Sequence, residues 1–254
     1  MPKPAVPATS GRRDGLVRVM GTFGLAAAIV NMTIGGGIFR LPANVAGSLG
    51  AAAPVAYLVC AIAMGLIVLC IADAGSRVSL TGGPYAYVGT AFGSYAGFIS
   101  GLLLWMLSTF ACAAVATVFA ASIGQLVPAF STPTMHVVTL VAVFVFWTLI
   151  NLRGAGLAAR LNSVATIAKL LPLLLLAVVG IFFIDPGNLT WTDAPRASDV
   201  TRTSLLLIFA FAGIEGALAP SGEVHDPART VPRAIAIAMV GITALYLLLQ
   251  VVAQ

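Results

Sequence analysis

Charged side chains divide this chain into long apolar runs. No Asp, Glu, Lys or Arg occurs in residues 19–39, 41–72, 78–152 or 234–254, while 161–184 carries only Lys169 and 203–222 only Glu215. A bilayer's hydrocarbon core takes about 20 residues of helix to cross. The 78–152 run therefore holds two crossings, divided at Val127-Pro128-Ala129-Phe130-Ser131-Thr132-Pro133. The pattern predicts seven spans, at about 17–47, 51–72, 95–126, 135–151, 162–184, 203–221 and 233–254.

Two of these spans are interrupted. The first contains Ile34-Gly35-Gly36-Gly37-Ile38-Phe39 and the sixth contains Phe209-Ala210-Phe211-Ala212-Gly213-Ile214-Glu215-Gly216. Met20 to Ile34 is 15 residues, about 22 Å of helix, short of a core about 30 Å thick. The three glycines thus fall within the membrane. Each destabilises helix by about 1 kcal/mol relative to Ala, so three in succession favour a break over simple close packing. Bare backbone at that depth is tolerated only where protein or a water-filled cavity receives its polar groups. Paired broken helices in so apolar a chain point to the substrate site of a secondary transporter. The freed amides at Gly35–Gly37 lie at the positive end of the following half-helix and suit a carboxylate. The row Gly93, Gly97, Gly101 has continuous small-x-x-x-small spacing and reads as helix packing.

Composition agrees. Hydrophobic residues make up 60% of 254 and charged residues 8%, against about 25% charged in a soluble domain. The net charge of +5 is an orientation signal rather than a nucleic-acid footprint. With seven spans, Lys3, Arg12, Arg13, Arg18, Arg77, Arg153, Arg160, Arg229 and Arg233 share one side, and only Arg40, Arg196 and Arg202 lie on the other. Positive-inside bias places the N-terminus in the cytoplasm of a multi-pass protein of the cell membrane. Residues 1–15 read as a disordered cytoplasmic tail ahead of a membrane domain over 16–254, and no A-x-A-like site marks a cleaved signal peptide. The seventh span runs to Gln254 with no flanking charge, which reads as a truncated permease domain. Cys60, Cys70 and Cys112 fall within spans and read as small hydrophobes. His136 and His225 have no companion at metal-ligand spacing, neither glycine cluster has G-x-G-x-x-G spacing after a strand, and no Ser/His/Asp or Cys/His arrangement is present. An enzyme, a metal site and a bound cofactor are not expected.

Four stretches, in order, resemble the amino acid–polyamine–organocation superfamily of permeases. They are Gly35-Gly36-Gly37-Ile38-Phe39 with Leu41-Pro42-Ala43-Asn44; Gly82-Gly83-Pro84-Tyr85-Ala86-Tyr87-Val88 with Ala91-Phe92-Gly93; Phe209 to Glu215; and Glu223, Asp226-Pro227, Arg229 with Val231-Pro232-Arg233-Ala234-Ile235. The resemblance implies an all-α, leucine-transporter-like fold of two inverted five-helix repeats, usually twelve helices, of which this chain carries the first repeat and two helices of the second. It also implies a substrate held between the unwound first and sixth helices, on Ile34, Gly35, Gly36, Gly37, Phe209, Phe211 and Gly213. Phe209 falls where related permeases place a gating aromatic; Phe211 is more core-like.

Two residues keep alternative readings. Glu215, an acid about halfway along its span, is costly there and functional by default; it either contacts ligand or gates, or accepts bonds from amides the break exposes. Lys169, eight residues into the fifth span, either reaches towards the interface or pairs internally, or serves proton coupling. Ala168-Lys169-Leu170-Leu171-Pro172 resembles the stretch in which some proton-coupled members carry a lysine. The expected function is proton-coupled secondary transport of an amino acid or related amine across the lipid bilayer by alternating access. The alternative is a truncated membrane chain that does not transport, or an interaction subunit. Glu215 is the one acid near the breaks, which argues against a dedicated dicationic substrate.

Overall fold

The computed structural model of the chain describes residues 20–78, 80–153, 155–190, 194–219 and 223–254. The expected tail over 1–15, and with it Lys3, Arg12 and Arg13, lies outside the described residues, as does Arg18. The fold is all-helical; among the described residues the only strand-like pairing is a single bridge between Met20 and Val224.

Among the described residues ten α-helices follow one another: α1 Thr22–Thr33, α2 Leu41–Leu49, α3 Ala53–Arg77, α4 Pro84–Phe92, α5 Ser94–Leu126, α6 Pro133–Leu152, α7 Ala155–Gly180, α8 Ala197–Phe211, α9 Ile214–Ala217 and α10 Pro227–Val252. Prolines open several of them. Pro84, Pro133 and Pro227 occupy first turns, where a missing N–H costs nothing because those amides have no intrahelical partner. At α6 the Thr132 hydroxyl caps the turn by accepting from the Met135 amide at 3.3 Å.

Six helical runs among the described residues are long and apolar enough to cross a membrane: Leu41–Arg77, Ser94–Leu126, Pro133–Leu152, Arg160–Phe183, Ala197–Ala217 and Pro227–Val252. The apolar helix α1 is shorter, at 12 residues. Hydropathy predicts seven spans, whereas α2, expected in the first span, runs on with α3 as the single stretch Leu41–Arg77 and leaves α1 as a short helix; other ends differ too. Helix α8 begins at Ala197, six residues before the expected 203, because Asp199 and Arg202 end an apolar run without ending a helix. The stretch expected to open the third span is a separate helix, α4, folded back on α5. Gly93 forms the corner at φ 92°, and Gly97 lies so near Gly89 that a Cβ on Gly97 would stand 2.8 Å from the Gly89 Cα. Gly97 and Gly101 pack, as their spacing predicts, whereas Gly93 is the turn.

The core lies between α1, α3, α8 and α10. Leu25, Ile29, Tyr57, Leu207, Phe211, Ile242, Tyr246 and Leu249 are all buried there. Helices α5, α6 and α7 instead present Phe98, Leu103, Phe110, Val141, Phe146, Leu171 and Leu175 outward. Apolar surface of that extent on a soluble protein would be a liability; a membrane-spanning chain can carry it. The packed quartet thus holds the two broken helices, and the outer helices wrap one side of them.

Candidate functional site

The first break is narrower than the glycine run. Helix α1 closes with the Ile34 amide donating to the Val30 carbonyl at 2.9 Å and the Gly35 amide to Thr33 at 2.9 Å. Only Ile34 and Gly35 leave helical geometry, Gly35 being extended at φ −100°, ψ −166°. Gly36 and Gly37 already belong to a tight 3-10 turn, Gly36–Phe39, that leads through Arg40 into α2.

The second break is a tight corner. Helix α8 ends at Phe211, Ala212 is extended, and Gly213 takes φ 121°, ψ −19° before the single turn of α9. The exposed Gly213 amide donates to both Glu215 carboxylate oxygens, at 3.0 and 3.1 Å. Glu215 thus accepts from an amide that the break leaves without a helical partner, while also lining the cavity between the breaks. The breaks also touch each other: a Cβ on Gly213 would stand 2.9 Å from the Met32 carbonyl oxygen and 3.2 Å from the Thr33 Cα.

A cavity of about 490 Å³ opens where they meet. Gly35, Gly36, Gly37 and Ile38 form one wall, Phe209, Ala210, Ala212, Gly213, Glu215 and Gly216 a second, and Leu104, Trp105, Ser108, Ala111 and Val115 of α5 a third. The Phe209 ring packs beside the glycine wall, 3.5 Å from where a Gly37 Cβ would be. Two residues expected on the wall lie behind it. Ile34 is buried, and Phe211 packs edge-on against Tyr246 with ring centroids 5.3 Å apart. Neither lines the cavity.

Lys169 of α7 stands behind the first break, outside the cavity lining. Its ammonium donates to the Asn31 backbone carbonyl, and the neighbouring Thr166 hydroxyl donates to the Asn31 side-chain oxygen at 2.8 Å. Asn31 needs that partner. Its helical acceptor role would be filled by the Gly35 amide, which turns instead to Thr33. A cation at the C-terminal end of a helix also meets the negative end of its dipole. Lys169 thus pairs internally with the broken helix.

Tyr246 of α10 was missed from sequence. Its hydroxyl donates to the Ala210 carbonyl at 2.9 Å and stands 3.4 Å from the Thr33 carbonyl. A tyrosine in a charge-free span was itself a signal, since buried phenols commonly take a hydrogen-bond partner. Among the described residues no three His, Cys, Asp or Glu side chains form a metal-binding group.

Known proteins share this sequence pattern. The amino acid permease family profile matches residues 20–254. An arginine/agmatine antiporter of Chlamydia caviae is 30% identical over 254 residues, covering 91% of this chain and 51% of that protein. A cadaverine/lysine antiporter of Escherichia coli K12 is 26% identical over 219 residues, with 85% and 49% covered. The large neutral amino acids transporter small subunit 2 of Oryctolagus cuniculus is 29% identical over 261 residues, with 96% and 48% covered. The chain spans about half the length of the curated relatives it matches. These relatives are transporters, and this chain is a multi-pass membrane protein belonging to the amino acid permease family of the amino acid–polyamine–organocation superfamily.

Proposed function

We propose that these helices form the substrate site of a proton-coupled amino acid transporter that works by alternating access. The observation that carries this reading is the meeting of two interrupted helices around one cavity. Each interruption sets a helix C-terminus against a helix N-terminus, so carbonyl and amide ends lie side by side at membrane depth. Such a site is complementary to a zwitterion. The carbonyl ends of α1 and α8 suit an ammonium, and the amides leading into α2 suit a carboxylate. The inverted-repeat architecture belongs to this reading, as does a cytoplasmic N-terminus.

Proton coupling rests on Lys169. Its ammonium holds the end of α1 through Asn31, and a neutral amine would attract that carbonyl end far less. Loss of the proton would thereby loosen the first broken helix from α7, and rebinding would restore it. Each cycle would then move a proton with the substrate.

Reconstitution into proteoliposomes tests this directly. Labelled amino acids are expected to accumulate under an imposed pH gradient without sodium, and Lys169→Ala is expected to bind substrate yet lose gradient-driven accumulation. Sodium-driven uptake, or full accumulation by Lys169→Ala, would contradict the coupling. Binding without transport by the unaltered chain would favour the non-transporting alternative.

A further inference from the structure

We propose that Tyr246 is a positioning residue for the substrate's ammonium group, its hydroxyl setting the carbonyl ends of both broken helices beside the cavity. The proposal rests on the amino acid reading above and states how the ammonium end of that site is built.

The last carbonyls of a helix have no intrahelical partner and carry its partial negative charge. Helix α8 ends at Phe211, so the Ala210 carbonyl is one of these, and it accepts from the Tyr246 hydroxyl at 2.9 Å. Helix α1 ends at Thr33, whose carbonyl lies 3.4 Å from the same hydroxyl and accepts from the Gly35 amide at 2.9 Å. One side chain on a third helix thus touches both broken helices at their negative ends. Thr33, Ala210 and Tyr246 all reach the cavity.

The phenol cannot easily move. Tyr246 is 1% exposed, and its ring stands edge-on to Phe211 at 5.3 Å and to Tyr57 at 6.3 Å. The hydroxyl position is therefore set by the core, and the carbonyls are set by the hydroxyl. A phenol carries one proton, whereas each carbonyl oxygen has two lone pairs. Tyr246 therefore orients these carbonyls without exhausting them. The Thr33 hydroxyl adds a further acceptor: it is 3% exposed and its oxygen has no hydrogen-bond partner among the described residues. An ammonium brings three donors to such a cluster. The nearby acid, Glu215, accepts from the Gly213 amide with both oxygens, and the carbonyl cluster adds uncommitted lone pairs for the ammonium.

Paired ligands test the assignment. Binding to the purified chain in lipid nanodiscs is measured for L-leucine and its des-amino analogue 4-methylpentanoate, and for L-arginine and 5-guanidinopentanoate. Tyr246→Phe keeps both ring contacts and removes only the hydroxyl. It is expected to weaken the amino acid about tenfold, about 1.4 kcal/mol, while the des-amino acid binds as before. Thr33→Val, of similar size, is expected to show the same selectivity with a smaller loss, and it serves as the reporter if Tyr246→Phe does not fold. Equal losses for both ligands of a pair, or an unchanged amino acid affinity, would overturn this proposal alone. Failure of the unaltered chain to bind any of the amino acids would overturn the amino acid reading and this proposal with it.

Discussion

The two breaks use glycine for opposite reasons. At the first, no glycine requires an unusual backbone: Gly35 is extended, and a Cβ built on it meets nothing within 4 Å. Gly36 is almost as open, its nearest neighbour being Val115 at 3.8 Å. These glycines leave room in the cavity. At the second, Gly213 needs glycine twice over, for φ 121° and for the 2.9 Å approach of the Met32 carbonyl. It holds one broken helix against the other. Similar-looking interruptions in sequence are thus a cavity wall in one case and a structural joint in the other.

That difference makes substitution effects unequal. Gly213→Ala should have the largest effect on stability. A non-glycine residue in a sparsely populated backbone region costs about 1–3 kcal/mol, and here a clash with backbone is added. Thermal unfolding of the purified chain should show a fall in Tm of many degrees, whereas Gly35→Ala should shift it by only a few. Similar shifts at both positions would remove the distinction.

Glu215 should rank next. Losing a charged acceptor from a part-buried amide costs up to about 1.5–3 kcal/mol, so Glu215→Ala is expected to lower Tm clearly and Glu215→Gln, which keeps one acceptor oxygen for Gly213, by much less. If glutamine fully preserves stability yet abolishes substrate binding, the carboxylate's charge also serves the ligand. Equal destabilisation by both changes would mean that the Gly213 bond is not what the side chain supplies.

The breaks were legible in sequence because a cluster of glycines in a charge-free run is too poor a helix former to stay helical at membrane depth. Their different mechanics were not, since φ and close approach depend on the partner helix. The two phenylalanines illustrate the limit. Phe209 is 45% exposed and faces the cavity, whereas Phe211 is fully buried; two residues apart on a helix of 3.6 residues per turn, they face nearly opposite ways. Residue type alone gives no phase. Helix α4 was not legible as a separate element because hydropathy does not register a corner such as Gly93. Lys169 was conspicuous as a lone charge in a span, but its Asn31 partner lies 138 positions away in sequence. Tyr246 stood out by type in a charge-free span, but the Ala210 and Thr33 carbonyls it meets lie 36 and 213 positions away in sequence.

In the proposed mechanism substrate sits between the breaks, against the glycine wall. Binding of labelled amino acids to nanodisc-embedded Gly36→Val measures this most directly. A Cβ on Gly36 has space, its nearest neighbour being the cavity-lining Val115 at 3.8 Å, so a larger side chain there is expected to take cavity volume. Normal membrane insertion, a Tm near that of the unaltered chain and loss of amino acid binding are expected. Normal insertion with unchanged substrate affinity would contradict that placement.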